Sequence, residues 1–253
     1  MTATAEKVLL SFHGDPAVKE MFLDRVRQHQ KADQILQGYG YWKDGKGCAV
    51  GCTIHGKDHF AYEKELGLPV WLAFLEDKIF ENLPAKDANK WPLSFLEAIP
   101  VGVDLAPVKF QFLSWLLIDK KDGLINLTKD KDIKASVKII GSLLSTEAKR
   151  PLTQAEVAEG DRAARAARAA RAAWAAWDAW DAWAAWAAWA ARAARDARAA
   201  RDAWDARAAW AAWAARDAWA AWAKKSADKL LVLLRATGRK RNTRKTPFNQ
   251  TGL

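Results

Sequence analysis

The sequence predicts an all-α protein: a compact helical N-terminal domain, then a long Ala/Trp/Arg helical arm, either continuous or folded back on itself. Three observations predict it. Apolar residues recur at helical spacing in several segments before residue 150, and glycines and prolines punctuate them. No Gly or Pro occurs from Asp161 to Thr237. Within that stretch, from Arg162 to Trp222, every third residue is Arg or Trp, and almost all the others are Ala, the strongest helix former.

Taken in order, Pro16 suits the first turn of a helix over 16–37, with Asp15 as its cap. Val18, Met21, Phe22, Val26 and Leu36 are expected inward, and Gly38 and Gly40 are expected to stop the helix. Residues 38–59 hold six glycines and must turn tightly or let backbones approach closely. A short helix is expected over 60–66. Residues 68–84 read as a helix with Trp71, Leu72, Leu75, Ile79 and Phe80 inward, and with Glu76 and Asp77 on a solvated face. Residues 91–99 should form a short helix ended by Pro100. Residues 106–119 and 133–146 read as two more, although the first is apolar and aromatic enough to fit a strand. Thr153, with Glu156 three residues on, makes a capping-box pattern. Gly238 is expected to end the last helix. The expected organisation is a globular helical domain over 1–150, a repeat arm with its closing helix over 151–237, and a basic disordered tail over 238–253.

Charge follows the same division. Residues 1–150 hold 21 Lys and Arg against 20 Asp and Glu, whereas residues 151–253 hold 19 against 10. Nearly all of the net +10 therefore lies in the C-terminal part, which is suited to anionic partners. No run is long and apolar enough for a transmembrane helix, and the N-terminus does not read as a secretory signal. Two cysteines are too few for a disulfide scaffold, so a reducing cytoplasm is expected.

The repeat sets a geometric problem. Three residues turn an α-helix by about 300°, so successive Arg and Trp positions wind around it. Eleven of the fifteen Trp lie in the repeat, and they cannot share one face. Exposed all round, they invite association. The same spiral argues against a helix lying on a membrane, which wants its Trp on one side. Trp and Arg codons can differ at one base, as can Ala and Asp codons, so a short unit expanded by replication slippage also fits the text.

Cys48, Cys52, His55 and His59 form the sharpest chemical cluster. Two thiols and two imidazoles are ligand types of tetrahedral Zn²⁺, although the step from Cys52 to His55 is short for a zinc knuckle. A second chemistry makes Cys48 a nucleophile at a helix N-terminus, with His55 or His59 as its base and His13 also in play. A third makes both cysteines small buried packing residues with surface histidines around them. GYGYWKDGKG lacks the Gly-Lys-Ser/Thr ending of a phosphate loop. His29, mid-helix, is expected in solvent. In the tail, Arg239, Lys240, Arg241, Arg244 and Lys245 offer charges for nucleic-acid phosphates, and repeat Trp can stack on single-strand bases.

The stretches GKGCAVGCTIHGKDH (45–59), ELGLPVWLAFLEDKIFENLP (65–84) and FLEAIPVGVDL (95–105), with ADKLL at 227–231, resemble an uncharacterised family of bacterial and phage hypothetical proteins with an Ala-rich repeat arm. The resemblance implies a bacterial, phage or mobile-element setting and transfers no activity. The leading expectation is a non-enzymatic interaction or structural protein. It would act through Trp174, Trp177, Trp180, Trp183, Trp186, Trp189, Trp210 and Trp213, and self-associate or associate with nucleic acid. The alternative is a Cys/His-centred enzyme or zinc-binding protein built on residues 48–59.

Overall fold

A computed structural model describes residues 8–127, 129–169 and 206–242, with side chains described for 8–127, 129–166 and 219–239. The described residues are predominantly α-helical, with one two-stranded hairpin. The chain divides into two compact units. One comprises Met1–Leu105 with Ala220–Leu253, and the other comprises Ala106–Trp219. The closing segment thus belongs with the N-terminal residues, while 106–150, grouped by composition with the head, fall in the second unit.

In the first unit, helix α1 (Pro16–Lys31) starts as expected, with Asp15 Oδ1 accepting from the Ala17 N–H at 2.8 Å. It stops earlier than expected, and no glycine stops it. Asp33 adopts a left-handed φ of 51°. The Gln34 N–H then reaches the His29 carbonyl at 3.0 Å and the Asp33 N–H reaches the Gln30 carbonyl at 3.3 Å, the two bonds of a Schellman ending. Leu36 therefore lies beyond the helix, and Met21 is exposed rather than inward.

Helices α2 (Ala49–Ile54), α3 (Ala61–Leu66), α4 (Val70–Asn82), α5 (Ala85–Ala88) and α6 (Trp91–Ala98) follow. Their buried residues, among them Tyr62, Leu72, Phe80 and Phe95, join Phe12 and Phe22 in one core. Ser11 ties the chain start to residues 100–103: its hydroxyl donates to the Pro100 carbonyl at 2.5 Å and accepts from the Val103 N–H at 3.0 Å.

The second unit holds α7 (Ala106–Ile118), α8 (Lys131–Glu147) and α9 (Gln154–Ala169). Residues 106–118 are thus helix, not strand. Leu113, Leu117, Val137 and Leu144 form its core. The Ser114 hydroxyl donates to the Gly141 carbonyl at 2.8 Å, and a Cβ on Gly141 would stand 2.4 Å from Ile118 Cγ2. Gly141→Ala should therefore destabilise this unit by about 1–3 kcal/mol, through overpacking at a helix contact. Thermal denaturation checks it, and an unchanged midpoint would show that Ile118 yields freely.

Helix α10 (Ala206–Asn242) supplies Ala220 onward to the first unit. Ala223, Ala227, Leu230 and Leu234 recur at helical spacing and are buried. Gly238 does not end this helix. A Cβ there would lie 2.9 Å from Pro100 Cγ, so glycine serves close packing and the helix runs on to Asn242. The segment 170–205, with Trp174, Trp177, Trp180, Trp183, Trp186 and Trp189, lies outside the described residues.

Candidate cation site

Three segments of the first unit build the site. After α1, residues 34–36 run beside Gly47: the Gly47 N–H donates to the Gln34 carbonyl at 3.0 Å and the Leu36 N–H to the Gly47 carbonyl at 2.8 Å. Strands β1 (Trp42–Lys43) and β2 (Lys46–Gly47) pair antiparallel. Asp44 and Gly45 between them both have positive φ, the requirement of a two-residue hairpin turn. The Asp-Gly pair carries that hairpin signal in the sequence.

Helix α2 starts directly after the hairpin. Cys48 caps it, its Sγ accepting from the Gly51 N–H at 3.4 Å. Gly47 and Gly51 face the Tyr41 carbonyl oxygen so closely that a Cβ would stand 2.0 Å and 1.3 Å from it. Two missing side chains thus let the Tyr41 backbone cross the start of α2.

Helix α4 supplies the third segment. Phe74, Asp77 and Glu81 are spaced i, i+3 and i+7 and share one face. Cys48 Sγ and one carboxylate oxygen from each of Asp77 and Glu81 lie within 4.8 Å of one another. Among the described residues no other three His, Cys, Asp or Glu groups converge in this way.

His59 borders this cluster at Asp77. It is only 5% exposed, stacked on Phe74 with centroids 4.3 Å apart, and met edge-on by Tyr41 at 5.0 Å. Its Nε2 lies 3.8 Å from Asp77 Oδ2, too far for a hydrogen bond, and has no hydrogen-bond partner. Asp77 Oδ1 lacks one as well. The surface histidine expected at position 59 is therefore buried, held there by two aromatic rings.

The electrostatics oppose a free thiolate. Burial pushes the Cys48 thiol well up, and the Asp77 carboxylate pushes it further, outweighing the Gly51 N–H. Burial raises Cys52 to about 12. Tyr41 is raised by burial first, then by Asp77 and Cys48. The expected lowering of a thiol pKa by a helix N-terminus is thus reversed, because burial outweighs the short α2 and the Asp77 carboxylate adds to it.

Below this cluster Glu76 is fully buried, not solvated as expected. Its Oε2 accepts from the Tyr62 hydroxyl at 2.5 Å, and its backbone carbonyl accepts from Trp91 Nε1 at 3.1 Å. Burial raises its carboxyl to about 8. Asp77 is likewise largely withdrawn from solvent.

Cys48, Cys52, His55 and His59 do not converge. Cys48 and His59 both border Asp77. Cys52 donates instead to the carbonyls of Gly47 at 3.4 Å and Gln34 at 3.5 Å. His55 ends α2 in a left-handed conformation, with its Nε2 2.7 Å from His29 Nε2 and its ring stacked on Trp42 at 4.5 Å. Burial, then Arg25 and His29, lowers the His55 pKa. His29 is half-buried in this pair, with Nδ1 2.6 Å from Gln34 Oε1. His13 Nε2 lies 3.1 Å from the Lys64 carbonyl.

Of the basic residues expected to meet nucleic acid, Arg239 is exposed on α10, and Lys240 and Arg241 continue that helix. Arg244 and Lys245 lie outside the described residues, and Trp210 and Trp213 are placed on α10 by backbone alone. No helix among the described residues is long and apolar enough to cross a membrane. No family model, curated protein or solved structure matches the chain.

Proposed function

We propose that the first unit is a cation-binding module, with Cys48, Asp77 and Glu81 as its acidic groups and Tyr41, His59 and Phe74 beside them. The convergence of three acid-going groups within 4.8 Å carries this reading. Carboxylates and a thiol this close repel once ionised, and partial burial adds to that cost. A positive ligand relieves both. This keeps the Cys/His-centred alternative but exchanges Cys52 and His55 for two carboxylates of α4. Thermal denaturation with Zn²⁺, Mg²⁺ and tetramethylammonium tests it. At least one cation should raise the midpoint saturably, by about 2.7 kcal/mol of added stability at a hundred times its Kd. The double variant Asp77→Asn, Glu81→Gln should lose the shift. A flat response to every cation ends the reading.

The Arg/Trp arm supports a separate reading, self-association or nucleic-acid association, because a three-residue period would spread its eleven Trp around any α-helix the arm forms. Its test is the mass in solution with and without residues 170–205. An assembly that persists without them excludes that segment as its cause.

A further inference from the structure

Resting on the cation-binding reading, we infer that the ligand is a divalent transition-metal ion of the Zn²⁺ class, held by Cys48 Sγ, the Asp77 and Glu81 carboxylates and His59 Nε2. The size of the site points to an ion. Three atoms within 4.8 Å of one another enclose a point no more than about 2.8 Å from each. Methyl-bearing ammonium groups need more room than that. A bare ion fits among these three after inward movements of roughly 0.5–0.8 Å per ligand. His59 Nε2 stands beside Asp77 but outside that set of three, so it becomes the fourth ligand only by a larger approach of its ring to the ion.

The donor types narrow the ion. Mg²⁺ and Ca²⁺ take oxygen ligands and have no use for a thiolate or an imidazole. Sulfur, nitrogen and carboxylate oxygen together suit Zn²⁺ and its neighbours. Ligand atoms in a tetrahedral shell with usual Zn–N and Zn–O bonds stand about 3.4 Å apart. His59 Nε2 and Asp77 Oδ2 already stand 3.8 Å apart.

His59 supplies the independent indication. A buried imidazole nitrogen without a hydrogen bond costs stability unless something occupies it. The ring stacks on Phe74 and meets Tyr41 edge to face, which places this nitrogen beside Asp77. Binding displaces one proton, from the Cys48 thiol to solvent. Three negative ligands and one neutral imidazole then surround a charge of +2.

Co²⁺ titration of the full chain tests the inference. One equivalent should produce the intense near-ultraviolet band of thiolate-to-cobalt charge transfer, and Zn²⁺ should displace it. Cys48→Ser should abolish the band. His59→Ala, and Glu81→Gln at the exposed rim where folding is least at risk, should each weaken Co²⁺ binding about tenfold or more. Cys52→Ser should titrate like the parent chain, with circular dichroism confirming that each variant is folded. Co²⁺ binding without the band, or retention of the band in Cys48→Ser, overturns the assignment, as does its loss in folded Cys52→Ser. If Co²⁺ and Zn²⁺ fail to bind while tetramethylammonium still stabilises, the metal inference falls and the cation reading survives. If no cation binds, both fall.

Discussion

Gly51→Ala should destabilise the first unit by about 3 kcal/mol or more, the upper range for overpacking. The added Cβ would sit 1.3 Å from the Tyr41 carbonyl oxygen and 2.4 Å from its carbon. Both are backbone atoms, so no rotamer change relieves the overlap. Either the Tyr41 segment retreats or the first turn of α2 unwinds. Retreat stretches the bond from the Cys48 N–H to the Gly40 carbonyl, now 3.1 Å, and strains the hairpin beside it. Unwinding displaces the Cys48 cap. Either route disturbs the proposed cation site, so Gly51→Ala should also weaken the Co²⁺ binding proposed there. Gly56→Ala is the control. Its Cβ would meet nothing nearer than 3.8 Å, and its urea midpoint should stay within about 0.5 kcal/mol of the parent. Equal midpoints for Gly51→Ala and the parent chain would show that Tyr41 does not cross α2 this closely.

Local signals are legible in the sequence, and signals that join distant segments are not. The capping box at 153–156 forms as its spacing requires: the Thr153 N–H donates to Glu156 Oε2 at 2.8 Å, and Thr153 Oγ1 accepts from the Glu156 N–H at 3.3 Å. Helix α4 appears within two residues of its expected ends, because Pro69 and Pro84 bracket an apolar run. The end of α1 departs from expectation because Asp33 takes the left-handed position that glycine usually fills. Gly238 misleads in the opposite sense. Its small size answers Pro100, a residue distant in sequence, so no local rule reveals it.

The candidate site divides the same way. Cys48 and His59 stand out in the sequence, but proximity there ties them to Cys52 and His55. A short helix ended by a left-handed His55 sends that ring towards His29 instead. The actual neighbours, Asp77 and Glu81, come from a later helix. Their i,i+4 spacing is visible in the sequence, and so is Phe74 on the same face. Carboxylates on a helix nevertheless read as solvated until the fold closes over them, and Glu76 shows how fully it does so.

Glu76→Gln should flatten the pH dependence of stability and make the protein more stable than the parent chain at pH 8 or so. The folded carboxyl is raised from 4.5 to about 8, by burial first, with Asp77 adding and the Tyr62 hydrogen bond opposing. Between those values the folded state keeps a proton that the unfolded chain has released. Stability therefore falls as pH rises through that window, by at most about 1.4 kcal/mol per pH unit. Below 4.5 both states are protonated, and above about 8 both are ionised, so the slope vanishes at each end. The amide that replaces Glu76 keeps the shape of the protonated acid, and its oxygen still accepts from the Tyr62 hydroxyl. Urea midpoints from pH 5 to pH 8 should therefore diverge, with parent and variant close at the acid end and the variant ahead at the alkaline end. Groups that titrate independently of Glu76 cancel in that difference. Tyr62→Phe gives the complementary result, removing the hydroxyl from a buried acceptor at a cost of about 1–3 kcal/mol. Parallel pH profiles for parent and Glu76→Gln would mean that water reaches this carboxyl and that it ionises in the usual range.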